Sequence, residues 1–269
     1  MQTQEIKLWE KEVPYFNENY DTPNSMTAYF TQTWQKVPAI VILPGGGYSA
    51  RAEHEGDAIA KFYESCGFHA FVVDYRLEPY QFPAPIMDAQ RAIKIVRKNA
   101  EQWAVDENRI FVIGFSAGGH LASCCATMED LSRVGDEYDD VCAKPTGAVL
   151  SYAVTSAMTD IDGEVCNCVR KMFSSENAAN EKYTTYMQVN KNTCPCFLWH
   201  TAEDSCVNVT HSLKFAAALA ENKIPYEMHI FPHGPHGLGL AKVYNDVKKW
   251  APLSVEWMLA NFKPNRKFK

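Results

Sequence analysis

Three side chains, far apart along the chain, have the types needed for acyl transfer. Ser116 sits at the centre of Gly114-Phe115-Ser116-Ala117-Gly118. Small neighbours let a serine occupy a strained strand-to-helix turn that lifts its hydroxyl above a sheet and next to a helix N-terminus, where developing negative charge is stabilised. A tight turn with an incidental serine has the same letters, so the surroundings must decide. Asp204, in His200-Thr201-Ala202-Glu203-Asp204, lies just past a strand-like run and can hold an imidazole in one tautomer and offset its charge. Glu203 is the adjacent rival, and Asp204 is preferred for its place further into the turn. A helix N-cap is its structural alternative. His236, in Pro232-His233-Gly234-Pro235-His236-Gly237, can take and return a proton. His233 competes with it, and the glycine directly after His236, just ahead of the final helical pattern, favours His236.

A fourth feature is Pro44-Gly45-Gly46-Gly47-Tyr48, directly after an apolar run. Successive glycines let backbone N–H groups approach a ligand closely, as an oxyanion site requires. His120 is nearer Ser116 in sequence, but it falls on a helical pattern one turn on. It is read as packing or hydrogen bonding there, not as the base. His233 and His236 have a metal-like spacing, yet no third ligand of matching character lies nearby. Nine cysteines occur with no Cys-x-x-Cys pair, so neither a zinc site nor a disulfide framework is expected, and reduced thiols are. Cys194-Pro195-Cys196 enters a strand pattern, where cysteine acts as a small hydrophobe.

Positioning these residues takes alternating strands and helices. Strand patterns cover Val37 to Leu43, Phe68 to Asp74, Arg109 to Gly114, Gly147 to Tyr152, Cys196 to Thr201 and Tyr226 to Phe231. Helical patterns cover Glu55 to Ser65, Ala84 to Trp103, Ala117 to Met128, Val209 to Asn222 and Lys242 to Asn261, with Pro252 a break or kink in the last. Near-continuous apolar strands separated by helices predict an α/β fold, a mostly parallel sheet with helices on both faces. Glu5 to Trp9 suits an antiparallel edge. No repeat or linker interrupts the 269 residues, so residues 1–269 are read as one domain. The polar stretch 155–190 breaks the rhythm near the carboxyl ends of the strands. It is read as a small cap insertion, with an idle surface insertion the alternative.

Composition narrows the function. Hydrophobic residues make up 46% of the chain, enough for a large core, and the formal charge is −6. Scattered Lys and Arg exclude a nucleic-acid partner. No apolar run reaches membrane-spanning length, so no membrane partner is expected. The N-terminus lacks the basic and apolar regions of a secretory signal, which makes a cytoplasmic location the expectation.

The order Ser116, Asp204, His236 is nucleophile, acid, base, as in α/β-hydrolases. The run Gly114 to Ala122 also resembles that of bacterial acetyl esterases and acetylxylan esterases of the lipase/esterase group with an HGGG-type loop. So do Pro44 to Tyr48, Asp74-Tyr75-Arg76-Leu77, Trp199 to Asp204 and His236 to Leu240. The matches run from about Val37 to Leu240. Pro44 stands where hormone-sensitive-lipase-like members have histidine, and proline is usual in the acetylxylan-esterase-like branch. The resemblance implies Ser116, Asp204 and His236 as a catalytic triad, Gly46, Gly47 and Ala117 as oxyanion donors, and no cofactor. It also implies small acyl groups, acetyl above all, on a sugar or similar alcohol. Tyr48 and Tyr152 are candidate sugar contacts near strand ends. Trp199 is a third aromatic there, for which a core position is the alternative. Other hydrolases of the fold, acting on feruloyl esters, formyl amides or peptides, are the alternative activity. A non-catalytic binding module is a further one, disfavoured because all three triad candidates are present.

Overall fold

The apolar runs pair edge to edge because that satisfies their backbone N–H and C=O groups, and the central ones bury both faces. The computed structural model describes residues 2–161, 163, 166–173 and 181–264. Its strands are β1 (Gln2–Lys7), β2 (Ser25–Phe30), β3 (Val37–Leu43), β4 (His69–Val73), β5 (Val105–Phe115), β6 (Gly147–Ser151), β7 (Cys196–Thr201) and β8 (Tyr226–Phe231). They form one sheet in the order β1-β2-β4-β3-β5-β6-β7-β8. β1 pairs antiparallel with β2, and β2 with β4. Every later pairing is parallel.

The described residues form six α-helices, α1 (Asp57–Ser65), α2 (Ala84–Lys98), α3 (Ala117–Thr127), α4 (Asn167–Met172), α5 (Thr210–Glu221) and α6 (Trp250–Asn261). Side chains alternate across a strand, so each strand feeds two cores. Val41, Val112, Leu150 and Leu198 point to one face, where Ile93 of α2, Leu121 of α3 and Phe215 of α5 pack on them. Ile40, Ile42, Ile113, Val149 and Phe197 point to the other, under Ile59 of α1 and Trp250 and Met258 of α6. This is the predicted α/β arrangement, with helices on both faces.

Several boundaries differ from expectation for local reasons. The strand predicted to begin at Arg109 begins at Val105, and the helix predicted to reach Trp103 ends at Lys98. Ala104, with φ of 53°, turns the chain between them. The last helix begins at Trp250, not Lys242. Asp246 instead caps a short 3-10 turn by accepting from the Val247 amide. Pro252 then falls in the first turn of α6, where an amide hydrogen has no intrahelical partner anyway. β2 has no counterpart in the expectations. It is a short strand with alternating burial, and it carries the antiparallel edge to β1.

The motif Asp74-Tyr75-Arg76-Leu77 has a supporting role. Arg76 and Asp88 are fully buried and pair at 2.8 Å, and the Arg76 amide also donates to Asp88. Trp9 Nε1 donates to the same carboxylate. A buried pair of this kind survives only when its remaining polar atoms are also satisfied. Tyr75 Oη donates to the Pro44 carbonyl, and the Glu78 amide to the Tyr48 carbonyl. The motif therefore props the glycine loop.

β3 and β5 are neighbours, yet the chain leaves β3 through α1 on one face and β5 through α3 on the other. That divergence opens a crevice at the carboxyl ends of the strands. The glycine loop follows β3 and Ser116 follows β5, so topology alone brings both features to its rim.

Candidate active site

Ser116 occupies the turn between β5 and α3 with φ of 53° and ψ of −116°, a region that non-glycine residues rarely adopt. The strain is held by main-chain bonds. The Ser116 amide donates to the Ser151 carbonyl, and its own carbonyl accepts from His120. Gly118 makes the turn possible, because a Cβ there would lie 2.1 Å from the Leu43 carbonyl oxygen. His120 itself is buried, with Nδ1 2.9 Å from Tyr48 Oη and Nε2 3.2 Å from the Tyr183 carbonyl. It is a packing residue, as expected. Burial pushes its pKa down to about 4, so it stays neutral.

His236 Nε2 lies 2.8 Å from Ser116 Oγ, and His236 Nδ1 lies 2.7 Å from Asp204 Oδ2. A ring nitrogen facing a carboxylate carries the proton, which leaves Nε2 to accept from the serine hydroxyl. The other Asp204 oxygen accepts from the amides of Cys206 and Val207, each at 2.9 Å. Burial alone would raise the Asp204 pKa. Hydrogen bonds from His200, His236 and Val207 outweigh it and hold the carboxyl far below the usual range. Both sequence rivals are resolved by pairing. Glu203 and His233 bond to each other at 2.7 Å, out in solvent, and neither joins Ser116.

A cavity of about 690 Å³ opens over Ser116 and His236. Gly46 and Gly47 line it, and Ala117 opens α3 directly behind the serine. Gly46 has φ of 125°, and a Cβ there would run into the Ala50 carbonyl. The described part of the 155–190 stretch also reaches the cavity, through Ile161, Cys166, Cys168, Arg170 and Lys171. Lys171 Nζ holds α4 against the glycine loop by donating to Ser49 Oγ at 2.8 Å. Residues 162, 164–165 and 174–180 of that stretch lie outside the described residues.

The aromatic expectations need correction. Tyr48 and Tyr152 are 1% and 2% exposed and do not face the cavity as sugar contacts. The Tyr48 hydroxyl is spent on His120, and that of Tyr152 on Glu55 at 2.6 Å. Trp199 is a core residue, fully buried and stacked on Trp250. An aromatic at a strand end reads the same in sequence whether it faces solvent or the layer beneath.

Two participants escaped sequence reading. His200, inside β7, lies with Nε2 3.2 Å from Asp204 Oδ2. Glu55, on the cavity wall but only 2% exposed, accepts from the Gly45 amide. A glutamate beside a helix start reads as an ordinary acidic residue of a first turn, so no local signal marks it. Among the described residues no cluster of three or more His, Cys, Asp or Glu could hold a metal.

Residues 28–219 match the BD-FAE family. The chain belongs to that family. Endo-1,4-beta-xylanase B of Butyrivibrio fibrisolvens is 34% identical to this BD-FAE chain over 256 residues, covering 90% of the chain and 39% of that protein. The acetylxylan esterase of Xylanibacter ruminicola is 29% identical over 208 residues, covering 75% and 41%. The chain thus spans about two-fifths of the length of these curated relatives. Among solved structures, the acetyl ester-xyloside bifunctional hydrolase of Caldicellulosiruptor lactoaceticus aligns with a TM-score of 0.89 at 39% identity, covering 96% of each chain. An alpha/beta hydrolase enzyme from a Medee basin deep-sea metagenome library aligns at 0.73 with 29% identity, again covering 96% of each. The BD-FAE chain thus has the α/β-hydrolase fold of these solved structures.

Proposed function

We propose that this BD-FAE chain is a serine esterase that removes acetyl groups from xylo-oligosaccharides or related acetylated sugars through an acyl-enzyme. The observation that carries the reading is the continuous hydrogen-bonded line from Ser116 through His236 to Asp204 at the floor of an open cavity. Ser116 Oγ attacks the ester carbonyl while His236 Nε2 takes its proton. The carbonyl oxygen becomes an oxyanion facing the amides of Gly46 or Gly47 and of Ala117, at the N-terminus of α3. Asp204 offsets the charge that forms on the imidazole. His236 then hands the proton to the departing sugar hydroxyl, and water repeats the sequence on the acetyl-enzyme. None of these steps calls on a metal or an organic cofactor.

The sugar enters the reading through the relatives. One is named for acetylxylan and one for acetyl ester and xyloside hydrolysis. Asn167, Arg170 and Lys171 at the cavity wall offer hydrogen-bond donors to an alcohol rich in hydroxyls. A substrate panel tests this. Acetylated xylo-oligosaccharides should be turned over faster than 4-nitrophenyl butyrate, feruloyl esters or formyl amides. Preference for butyrate or longer acyl groups would overturn the acetyl assignment. Equal turnover of acetylated xylo-oligosaccharides and unrelated acetates would overturn the sugar.

A further inference from the structure

The three loops that meet at Ser116 share one buried side chain. Glu55 Oε2 accepts from the Gly45 amide at 2.7 Å, at the root of the glycine loop. Glu55 Oε1 accepts from the Tyr152 hydroxyl at 2.6 Å. That phenolic oxygen in turn accepts from the Gly239 amide at 3.0 Å, three residues beyond His236. The Tyr152 ring meets the His236 ring edge-on, with centroids 5.0 Å apart. The neighbouring His54 adds a second link, its Nε2 2.8 Å from the Gly237 carbonyl.

The packing shows that this arrangement occupies its space fully. A Cβ on Gly45 would lie 2.6 Å from Glu55 Oε2, and one on Gly239 would lie 3.0 Å from the His54 ring. Both glycines leave room for the pair His54-Glu55. The triad hydrogen bonds do not involve Glu55, and neither do the bonds that hold the elbow.

We propose that Glu55 is a positioning residue, a clamp that fixes the glycine loop and the His236 loop at one spacing about Ser116. The proposal rests on the esterase reading given above. An oxyanion forms only in the transition state, and its donors are useful only if they stand at hydrogen-bond distance when it forms. The base must meanwhile stay in line with Ser116 Oγ. A clamp bonded directly to the glycine loop and, through the Tyr152 hydroxyl, to the His236 loop serves these demands together, so its loss should appear in kcat and not in KM.

The test uses 4-nitrophenyl acetate with the full chain, following kcat and KM separately and checking each variant by thermal unfolding. Glu55→Ala removes both bonds and should lower kcat about 10²-fold with KM changed by less than about threefold. Glu55→Gln should recover at least about tenfold of that loss, because its amide oxygen can still accept from the Gly45 amide and so keep the bond to the glycine loop. Tyr152→Phe keeps the ring against His236 and the Glu55–Gly45 bond, and removes the hydroxyl that links Glu55 to Gly239. It should lower kcat about tenfold, and it carries the test if Glu55→Ala does not fold. Parental kcat in Tyr152→Phe would overturn the clamp. So would Glu55→Gln falling as low as Glu55→Ala, or a rise in KM at unchanged kcat. Ser116→Ala, assayed alongside, separates the two ideas: near-parental activity there defeats the esterase reading itself, whatever Glu55 does.

Discussion

His236 Nε2 stands 2.8 Å from Ser116 Oγ although 120 residues separate them in sequence. The contact exists because Ser116 ends β5 and the His236 loop follows β8, and both open on the same edge of a parallel sheet.

Asp204→Asn should leave the fold in place and remove most activity. An asparagine can present its NH2 to His236 Nδ1, favouring the tautomer that points a proton at Ser116. A loss in kcat of about 10³–10⁴-fold is expected. Steady-state kinetics with 4-nitrophenyl acetate measure it, and a loss under tenfold would exclude Asp204 as the orienting acid. Glu203→Gln, by contrast, changes the solvent-side pair with His233 and keeps an amide oxygen for the Gly234 amide, so it should change kcat little.

Stability should fall as the solution is acidified through mildly acidic pH. His120 and His211 are both held neutral by burial, with pKa values near about 4. Unfolded histidine titrates near ~6.5, so the unfolded chain takes up protons first. The stability from keeping these rings neutral is complete above that value and is lost as pH falls toward about 4. Calorimetric midpoints should therefore decline across that window, and His120→Gln should make the decline shallower. An unchanged slope in the variant would contradict this assignment.

Asp160 ties the described part of the 155–190 stretch to α5. It accepts from Lys214 Nζ at 2.6 Å and Ser156 Oγ at 2.5 Å, and it bonds Tyr186 Oη. Burial would raise its pKa, but those three partners lower it to about 2. The stability it contributes is therefore present above ~3.9, the unfolded value, and is lost as pH falls toward about 2. Asp160→Asn should cost no more than ~1 kcal/mol globally, since the pair is partly solvated. Hydrogen exchange should nevertheless speed up at residues 155–161 and in α5. Unchanged exchange there would show that Asp160 does not anchor the stretch.

Asp88→Ala should destabilise the protein by about 3–5 kcal/mol, because it strands the fully buried Arg76 guanidinium. Denaturant unfolding measures this, and a change below ~1 kcal/mol would mean that the charge finds water or another partner.

Much of this site was legible because its chemistry is tied to local backbone demands. The small residues around Ser116 announce a strained turn, and the glycine run after β3 announces a loop that needs unusual φ values. Asp204 and His236 each follow a strand end, so the alternation that reveals the sheet also places them at the carboxyl ends of its strands. What was not legible depends on contacts between distant segments. Glu55 looks like any acidic residue near a helix start until Gly45 and Tyr152 are beside it. Tyr48 and Tyr152 sit at the expected strand ends, but their side chains turn inward, and no periodicity records that choice. β2 was missed because Ser25–Phe30 is short and mixed in character, and it gains its strand form from pairing with β1 and β4.

Acetate release from acetylated xylo-oligosaccharides by the parental chain and by Ser116→Ala tests the central claim most directly. The parental chain should release acetate, and the variant should be slower by about 10⁴-fold or more. Near-parental release by Ser116→Ala would show that the hydroxyl 2.8 Å from His236 is not the nucleophile.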